Sequence, residues 1–428
     1  MIRKSTFAAA LLLSLSCSAQ KSSLISSTEA TRIETFLASD ELAGRRPGTP
    51  GMDKAATFIA EEMRKAGLKP LPGASGFLQE FSVLRPKMTL LKAEWNGADF
   101  DTKKVIVVTT KKDFKVDEKS GFAVKRIGPG DATDMRSLGR AAQKLAAGKE
   151  SRIVLVDTSF SAFFGRLTGL KRSLFSGAAD VVFILANELP AAYTIKSEHN
   201  FDELKLANIV GMLPGKDRAS EQVIFSGHYD HLGIGKPVNG DSIYNGANDD
   251  ASGITSMLLL AQHFAKQKNN NRTLLFAAFT AEESGGFGAT HFSRQLDPAK
   301  VMAMFNIEMV GTESKWGKNS AYITGFEKSS FGTVLQSALK GTGFEFHPDP
   351  YTEQNLFYRS DNATLALLGV PAHTISTSKM DVEPHYHKPS DEVGTLDMEN
   401  LAMVTEAIAK SAATIISGKE TPTRVQEQ

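Results

Sequence analysis

Short apolar runs alternate with helix-forming segments along most of this chain. Four of the runs have the length and composition of buried strands: 222–226, 274–279, 302–307 and 371–375. Helical patterns occupy three segments between or after them: 252–267, 327–340 and 398–416. Because strands that alternate with helices usually pair in parallel, this order predicts an α/β protein with a largely parallel sheet.

The segment 81–207 differs from the rest of the chain. It has strand candidates at 105–109, 153–157 and 181–185 and a helix candidate at 132–146. Chains longer than about 250 to 300 residues tend to divide into domains, and this chain has 428 residues. We therefore expect a smaller inserted domain at 81–207 between two parts of a main domain, 20–80 and 208–417, with a short disordered tail at 418–428.

The first nineteen residues have the pattern of an export signal. Arg3 and Lys4 precede a short apolar stretch at 7–13, and small residues follow it. Cys17, the single cysteine, stands where bacterial lipoproteins are cleaved and lipidated; cleavage after Ala19 is the alternative. The sequence predicts an exported protein, either a periplasmic or cell-envelope lipoprotein or a secreted protein. Any contact with a membrane is expected only through lipid at Cys17.

The composition excludes some classes of partner and chemistry. The 49 Lys and Arg against 48 Asp and Glu leave a net charge of +1. Such a chain lacks the basic field that neutralises phosphates, so nucleic acid is not an expected partner. No cysteine follows Cys17, so the folded part is predicted to contain neither a disulfide nor a thiol nucleophile.

Acidic and histidine residues are concentrated in short segments that share one kind of position. They are GHYDH at 227–231, NDDASG at 248–253, AEES at 281–284, NIEMVG at 306–311 and YHKPSD at 386–391. All lie at or just beyond the ends of predicted strands and helices, where open α/β sheets bind ligands. The set supplies enough imidazole and carboxylate ligands for two divalent metals, with one carboxylate left for acid–base work. This pattern predicts a hydrolase.

Several of these segments have an ordinary structural explanation when taken alone. His228 and Asp230 fit a hydrogen-bonded surface pair, and Asp249 fits a helix N-cap. His387 and Asp391 fit a polar loop. Histidines without a strong motif are expected to have structural roles: His231, His263, His291, His347, His373 and His385.

The acids that follow apolar runs are harder to explain as surface residues. Glu282 and Glu283 come directly after a predicted buried strand, where two adjacent carboxylates need cations or very different pKa values. Glu308 ends another apolar run, where a lone buried acid carries a large desolvation penalty. One of the adjacent glutamates can bind a metal while the other accepts a proton from water.

The order and the residues of these segments resemble those of the co-catalytic di-zinc exopeptidases, a family that includes secreted bacterial leucyl aminopeptidases and glutamate carboxypeptidase. The stretch LASDELAGRRPGTPGMDKAATFIAEEMRKAGLKP is similar to the opening of bacterial members. The segment 81–207 stands where many members carry a protease-associated domain. The resemblance covers about 25–416 and implies a three-layer α/β/α sandwich with a mostly parallel, mixed sheet.

Carried over residue by residue, the resemblance implies a complete di-zinc centre. Asp249 would bridge two zinc ions, with Glu283 and His387 completing one site and His228 and Glu308 completing the other. Family members often have aspartate where this chain has Glu308, so a mononuclear site stays open as an alternative.

The resemblance also implies roles for residues that do not bind metal. Glu282 would be the general base that deprotonates the bridging water and later protonates the leaving amine. Asp230 would orient one metal-binding histidine, and Asp391 the other. Tyr358, in FYRSDNA, is a candidate oxyanion stabiliser, with simple packing as the alternative.

The resemblance implies an exported zinc metallopeptidase, with an aminopeptidase that hydrolyses the N-terminal bond of peptides as the leading function. Two alternatives stay open. A glutaminyl cyclase would use the same fold with one zinc ion, and a binding protein would use it without catalysis.

Overall fold

The computed structural model describes residues 24–426. The predicted signal at 1–19, with Cys17, lies outside the described residues. No helix within 24–426 is long and apolar enough to cross a bilayer.

The helices and strands alternate as the sequence suggests. The helices are α1 (Ser27–Leu37), α2 (Pro50–Ala66), α3 (Met135–Ala146), α4 (Ser161–Phe164), α5 (Ser252–Gln267), α6 (Phe287–Ser293), α7 (Phe331–Ala338), α8 (Ala363–Ala366) and α9 (Met398–Ile416). The strands are β1 (Leu78–Trp95), β2 (Ala98–Asp99), β3 (Val105–Val108), β4 (Asp113–Asp117), β5 (Ala123–Ile127), β6 (Arg152–Val156), β7 (Leu174–Phe175), β8 (Val181–Leu185), β9 (Tyr193–Leu213), β10 (Arg218–His228), β11 (Gly233–Val238), β12 (Asp241–Tyr244), β13 (Arg272–Phe279), β14 (Val301–Ile307), β15 (Ser320–Ile323), β16 (Glu345–Pro348) and β17 (Ala372–Ser376).

One large mixed sheet forms the middle layer of the molecule. Its main path runs β16-β15-β17-β14-β10-β13-β9-β1-β2. The pairs β10/β13, β10/β14 and β14/β17 are parallel, whereas β9 and β1 are antiparallel to their neighbours. The strands predicted from apolar runs are β10, β13, β14 and β17, so the α/β class and the parallel centre of the sheet are confirmed. Long antiparallel strands extend the sheet on one side.

Helices cover both faces of this sheet. On one face α1, α5 and α9 bury side chains such as Ile33, Met257 and Ile408 against the central strands. On the other face α6 and α8 contribute Phe292 and Leu365. Successive strand residues point to opposite faces, so both apolar sides of the sheet are removed from water. The three-layer α/β/α sandwich is confirmed.

The helices predicted at 252–267 and 398–416 correspond to α5 and α9, but the one predicted at 327–340 is divided. A short 3₁₀ turn, Phe326–Lys328, comes first, and α7 begins at Phe331. Between them Ser329 is extended, and its hydroxyl accepts the backbone N–H of Phe331. Serine commonly competes with helical hydrogen bonding in this way, and the break follows from it.

The segment between β1 and β9 has a sheet and an apolar core of its own. This second sheet has the order β3-β8-β6-β5. One face packs against α3 through residues such as Leu138, and the other packs against β4 and the far ends of β1 and β9. The β1/β9 ladder is paired from Leu78 opposite Ile209 to Trp95 opposite Tyr193. The expected boundaries, 81 and 207, therefore fall inside one continuous ladder.

The C-terminal tail corrects an expectation, because 418–428 is predicted to be disordered. Arg424 donates to the carbonyl of Val301 at 2.8 Å, and the N–H of Val425 donates to the carbonyl of Gly369 at 3.1 Å. The N–H of Thr423 donates to the hydroxyl of Ser330 at 2.9 Å. The polar residues that suggest disorder in the sequence instead hold the described part of the tail against the main domain.

Candidate metal centre

Three neighbouring strands deliver acidic and histidine side chains to one edge of the large sheet. His228 is the last residue of β10, Glu282 and Glu283 follow β13, and Glu308 follows β14. Because β10 lies between β13 and β14 and runs parallel to both, the carboxyl ends of these strands meet. The predicted placement of the four residues is therefore the observed one.

Asp249 lies between two histidines at this edge. Its Oδ1 is 3.2 Å from Nε2 of His228, and its Oδ2 is 3.2 Å from Nε2 of His387. Oε1 of Glu283 is 3.1 Å from the same nitrogen of His387. Ligand atoms of His228, Asp249 and Glu308 all lie within 4.8 Å of one another. The structure thus brings together all five residues that the sequence assigns to metal binding.

The donor atoms at this centre have few other interactions. Nε2 of His228, Nε2 of His387, Oε1 of Glu283 and Oε2 of Glu308 are buried and lack a hydrogen-bond partner within the described chain. An unpaired buried polar atom carries a penalty of about 1–3 kcal/mol, and a shared cation removes it for several atoms at once. Nitrogen and oxygen donors without sulfur are typical of catalytic zinc sites. The residues present fit a divalent metal centre.

The protonation equilibria of the centre reflect burial and crowding. Burial raises the pKa of Glu282 well above its ordinary value, and the carboxylate of Glu308 adds to the rise while His228 opposes it. Burial also opposes ionisation of Asp249, but the adjacent histidines outweigh this and lower its pKa. The pKa of His387 rises to about 10 because two nearby carboxylates outweigh the effect of burial. The centre is rich in negative charge and suited to cations.

Asp230 supports His228 with a different atom from the one expected. The backbone carbonyl of Asp230 is 3.1 Å from Nδ1 of His228, whereas Oδ1 lies 3.8 Å from that nitrogen. Oδ1 instead accepts the N–H of Glu282 at 3.0 Å. Asp230 therefore orients a metal-binding histidine through its carbonyl and fixes the backbone of the expected base through its carboxylate.

Asp391 has a role that corrects the sequence interpretation. Its two carboxylate oxygens accept the N–H groups of Asn248 at 2.8 Å and Asp249 at 3.0 Å. These contacts fix the loop that carries Asp249, and they replace the expected contact with His387. The adjacent order YHKPSD suggested that contact, but the loop turns the acid toward the neighbouring motif.

Asp250 was not identified from the sequence. Its Oδ2 accepts the N–H of His228, and its Oδ1 accepts the N–H groups of Gly253 and Met309, each at 3.1 Å. A Cβ atom at Gly253 would lie 2.4 Å from Oδ1, so glycine is required for this close approach. The second aspartate of NDDASG thus links three of the polar motifs. Its signal in the sequence was its place beside Asp249.

Arg45, in the stretch ELAGRRPG, is a second residue that lies outside the polar motifs. Its side chain is fully buried and donates to the carbonyls of Tyr229 at 2.8 Å, Asn245 at 2.6 Å and Gly246 at 2.9 Å. The planar guanidinium offers several donors in a fixed geometry. One side chain therefore holds together the loops that follow His228 and precede Asp249.

The structure places Tyr358 outside the pocket at the centre. Tyr358 is 39% exposed and packs edge-on against Phe357, and it is not among the residues that line the pocket at the centre. Tyr386 lines that pocket and stacks on His387 with ring centroids 3.9 Å apart. An aromatic residue beside the metal ligands is therefore the tyrosine that directly precedes His387 in the sequence.

A pocket opens beside Glu282 and the metal ligands. Apart from these, half of its lining is apolar or aromatic and half is polar, with one guanidinium: Met309, Tyr322, Thr324, Leu356, Arg359, Ser360, Thr374, Ser376, Met380 and Tyr386. Concave sites of this composition usually bind small organic groups. The pocket lies next to the candidate base.

His231 also differs from expectation, because a structural role was predicted for it. Its Nδ1 lies 3.0 Å from Oε1 of Glu283. Ligand atoms of His231, Asp249 and Glu283 all lie within 4.8 Å of one another. The last residue of GHYDH is therefore part of the centre.

Residues 208–412 match the profile described as Peptidase family M28. This chain carries a peptidase family M28 domain. The matched segment contains every ligand position described above, whereas the insertion and Arg45 lie outside it.

Relatives in sequence are peptidases by name. Aminopeptidase YwaD of Bacillus subtilis is 23% identical over 420 residues, covering 91% of this chain and 85% of the relative. Leucine aminopeptidase 1 of Trichophyton rubrum is 26% identical over 223 residues, covering 47% and 55%. A probable zinc metalloprotease of Pyrenophora tritici-repentis is 36% identical over 110 residues, a quarter of each chain.

Solved structures agree with the fold of the M28 domain and its insertion. A zinc aminopeptidase of Bacillus subtilis superposes with a TM-score of 0.55 at 18% identity, covering 94% of this chain and 96% of the other. An aminopeptidase from Aneurinibacillus sp. strain AM-1 gives 0.53 at 19% identity, covering 94% and 95%. At these identities the likeness establishes the fold.

Proposed function

We propose that this chain is a zinc aminopeptidase that removes the N-terminal residue from peptides, with two zinc ions in its active site. The observation that carries the proposal is the position of Asp249, whose two oxygens each lie 3.2 Å from a different histidine. A carboxylate placed in this way can join two ions, with Glu283 and His387 on one side and His228 and Glu308 on the other.

Glu282 is the proposed acid–base group. Zinc ions bound at the centre supply Lewis acidity toward the scissile carbonyl and lower the pKa of water. Glu282 lines the pocket beside the ligands, and Asp230 fixes its backbone. Its carboxylate accepts a proton from the attacking water and passes that proton to the leaving amine. Burial raises the pKa of this carboxyl group.

The choice of an aminopeptidase rests on the relatives. The bacterial relative that spans most of this chain is named an aminopeptidase, and so are the superposed structures. The pocket beside Glu282 is the proposed binding site for the side chain of the terminal residue.

Metal content and product release together test the proposal. Purified protein is analysed for zinc by mass spectrometry and incubated with matched peptides that have free or blocked N-termini, before and after chelation. We expect about two zinc ions per chain and chelator-sensitive release of amino acids only from free N-termini. One zinc ion with cyclisation of N-terminal glutamine would favour a glutaminyl cyclase, and absence of metal would favour a binding protein.

We also propose that the protein is exported. This proposal rests on the sequence of residues 1–19 alone. Mass spectrometry of the mature N-terminus distinguishes the two routes, because a lipid-modified Cys17 indicates a lipoprotein, whereas cleavage after Ala19 indicates a secreted protein. A mature protein that retains the first nineteen residues would contradict export through this signal.

A further inference from the structure

His231 has no part in the ligand set proposed above, yet it lies inside the centre. Its side chain is 1% exposed. Neither ring nitrogen has a hydrogen-bond partner among residues 24–426. A buried imidazole with both nitrogens unpaired is unfavourable unless something else binds it. The nearest polar groups are those that are assigned to one of the two metals.

The geometry around His231 is that of donor atoms directed at a common point. Nδ1 lies 3.0 Å from Oε1 of Glu283, and the same oxygen lies 3.1 Å from Nε2 of His387. Two donors bound to one tetrahedral zinc ion at about 2.1 Å lie about 3.4 Å apart. The observed separations are close to this value. Nδ1 of His231 and Oε1 of Glu283 are close, but their contact does not have hydrogen-bond geometry, and both atoms lack a hydrogen-bond partner among the described residues.

The fold restricts where the ring of His231 can lie. Gly246 packs against it so closely that a Cβ atom there would lie 2.5 Å from the ring. The carbonyl of Gly246 accepts a hydrogen bond from Arg45 at 2.9 Å, and the carbonyl of Arg45 accepts the N–H of His231 at 3.2 Å. Arg45 therefore fixes both the backbone of His231 and the backbone of Gly246, which packs against the ring of His231.

We propose that His231 is an additional ligand of the metal ion held by Glu283 and His387. With Asp249, this half of the centre has four protein donors, the number found in closed zinc sites. The other half has only His228, Asp249 and Glu308, which leaves a position for water and substrate. The two ions therefore have different tasks, one held firmly by protein and one open to the reaction. This inference rests on the proposed two-zinc function.

Metal titration of two variants tests the assignment. His231→Ala removes the donor, and His231→Asn retains an N–H that can hydrogen-bond to Glu283 but is a poor zinc ligand. Zinc and cobalt affinities are measured by chelator competition on metal-free protein, and the visible absorption of bound cobalt reports its coordination. We expect both variants to lose at least tenfold in affinity at one of two sites, with a changed cobalt spectrum. His263→Ala, in α5 and outside the centre, is the control and is expected to match the wild type.

The outcomes separate this inference from the proposed function. Unchanged affinities and an unchanged cobalt spectrum in His231→Asn would overturn the inference and leave His231 as a hydrogen-bonding group that positions Glu283. Fewer than two ions in the wild type would overturn the two-zinc proposal, while the ratio of affinities between wild type and His231→Asn would still decide whether His231 binds the ion. Thermal unfolding of the metal-free proteins shows whether each variant retains its fold, and the cobalt spectrum of His231→Asn decides the matter if His231→Ala does not fold.

Discussion

The insertion and the large sheet each contain a fully buried strand with an acid at its end, but the groups that contact these acids differ. In the insertion, Asp180 directly precedes the fully buried strand β8, and its carboxylate contacts the ammonium of Lys111 at 2.7 Å and accepts the hydroxyl of Thr109 at 2.6 Å. In the large sheet, Glu282 and Glu283 follow the fully buried strand β13, and their cationic neighbours are histidines. An acid at the end of a buried strand is thus paired with a lysine in the insertion and with histidines in the large sheet.

This difference teaches how to recognise a site among buried polar groups. An acid paired with lysine and a hydroxyl is satisfied by the protein itself, and such a pair serves structure. Acids that face only histidines leave negative charge in excess, because each histidine is neutral when it binds a metal. The remaining positive charge must come from outside the chain, and the centre is therefore built for cations.

The largest effect is expected for Glu282→Gln, because an amide cannot accept the proton from water. We expect turnover to fall by about 10³-fold or more, within or above the usual range for general bases, with zinc content unchanged. Initial rates and metal analysis of the same sample measure both quantities. The matched variant Glu283→Gln is expected to lose zinc. Loss of zinc from Glu282→Gln would place Glu282 among the ligands instead.

A core substitution in the insertion is expected to affect stability without affecting the centre. Phe183→Ala removes a fully buried ring from β8, which should lower the free energy of unfolding by about 3–5 kcal/mol. Phe276→Ala removes a similar ring from β13 and should also weaken zinc binding, because β13 positions Glu282 and Glu283. Urea unfolding measures the stability of both variants, and chelator competition measures their zinc affinity. Equal loss of zinc affinity in Phe183→Ala and Phe276→Ala would contradict the expected difference between the two sheets.

Asp391→Ala is expected to have a smaller effect, restricted to metal binding. The carboxylate fixes the backbone of Asn248 and Asp249, and loss of such supporting groups typically lowers metal affinity by about 10–100-fold. Asp180→Ala removes the satisfied acid of the insertion and should leave affinity unchanged. Chelator competition measures both. An unaffected Asp391→Ala protein would show that the loop holds its shape without this residue.

The last contrast concerns the pH dependence of stability and leaves the metal centre unchanged. Burial raises the pKa of Glu34 to about 8, although the hydroxyl of Thr255 and the charge of Arg45 oppose the rise. Because this folded value exceeds the unfolded one, the contribution of Glu34 is complete below the unfolded pKa and is lost as the pH rises through about 8. Glu34→Gln does not titrate, so its stability should rise by about 4 kcal/mol relative to wild type between pH 5 and 9.

The control for this experiment lies in the insertion. The ammonium of Lys115 lowers the pKa of Asp117 to about 2, so Asp117 is ionised throughout the tested range in both folded and unfolded chains. Thermal unfolding of Asp117→Asn should therefore show the pH dependence of the wild type. A Glu34→Gln protein with that same pH dependence would argue against a neutral Glu34 in the folded state.

The sequence predicts the centre of the fold and most of the site for a clear physical reason. Strands buried on both faces are continuous apolar runs, so β10 and β13 stand out, and polar residues that end such runs are conspicuous. His228, Glu283 and Glu308 were found in this way. Their roles as ligands came from the resemblance to a known family, and the structure brings them together.

Other features depend on contacts between distant segments. β9 alternates buried and exposed residues where it leaves the large sheet, and such a pattern does not reveal that it pairs with β1 over its whole length. His231 ends the motif GHYDH, but its role depends on contacts with Glu283 and with the backbone of Gly246, which are distant from it in the sequence. The sequence analysis names Tyr358 alone, and the position of Tyr386 at the pocket depends on the path of the loop before α9.

The buried guanidinium of Arg45 determines which truncated fragments of this protein can be expected to fold. The segment that defines the family, 208–412, does not contain the arginine that braces its loops, nor helices α1 and α2, whose residues Ile33 and Met63 belong to the same apolar core. A fragment that starts at residue 208 would expose that core and leave three carbonyls without their donor. The smallest fragment expected to fold alone therefore needs the segment before the insertion as well as the segment after it. The insertion itself is the part that a short turn between β1 and β9 could replace.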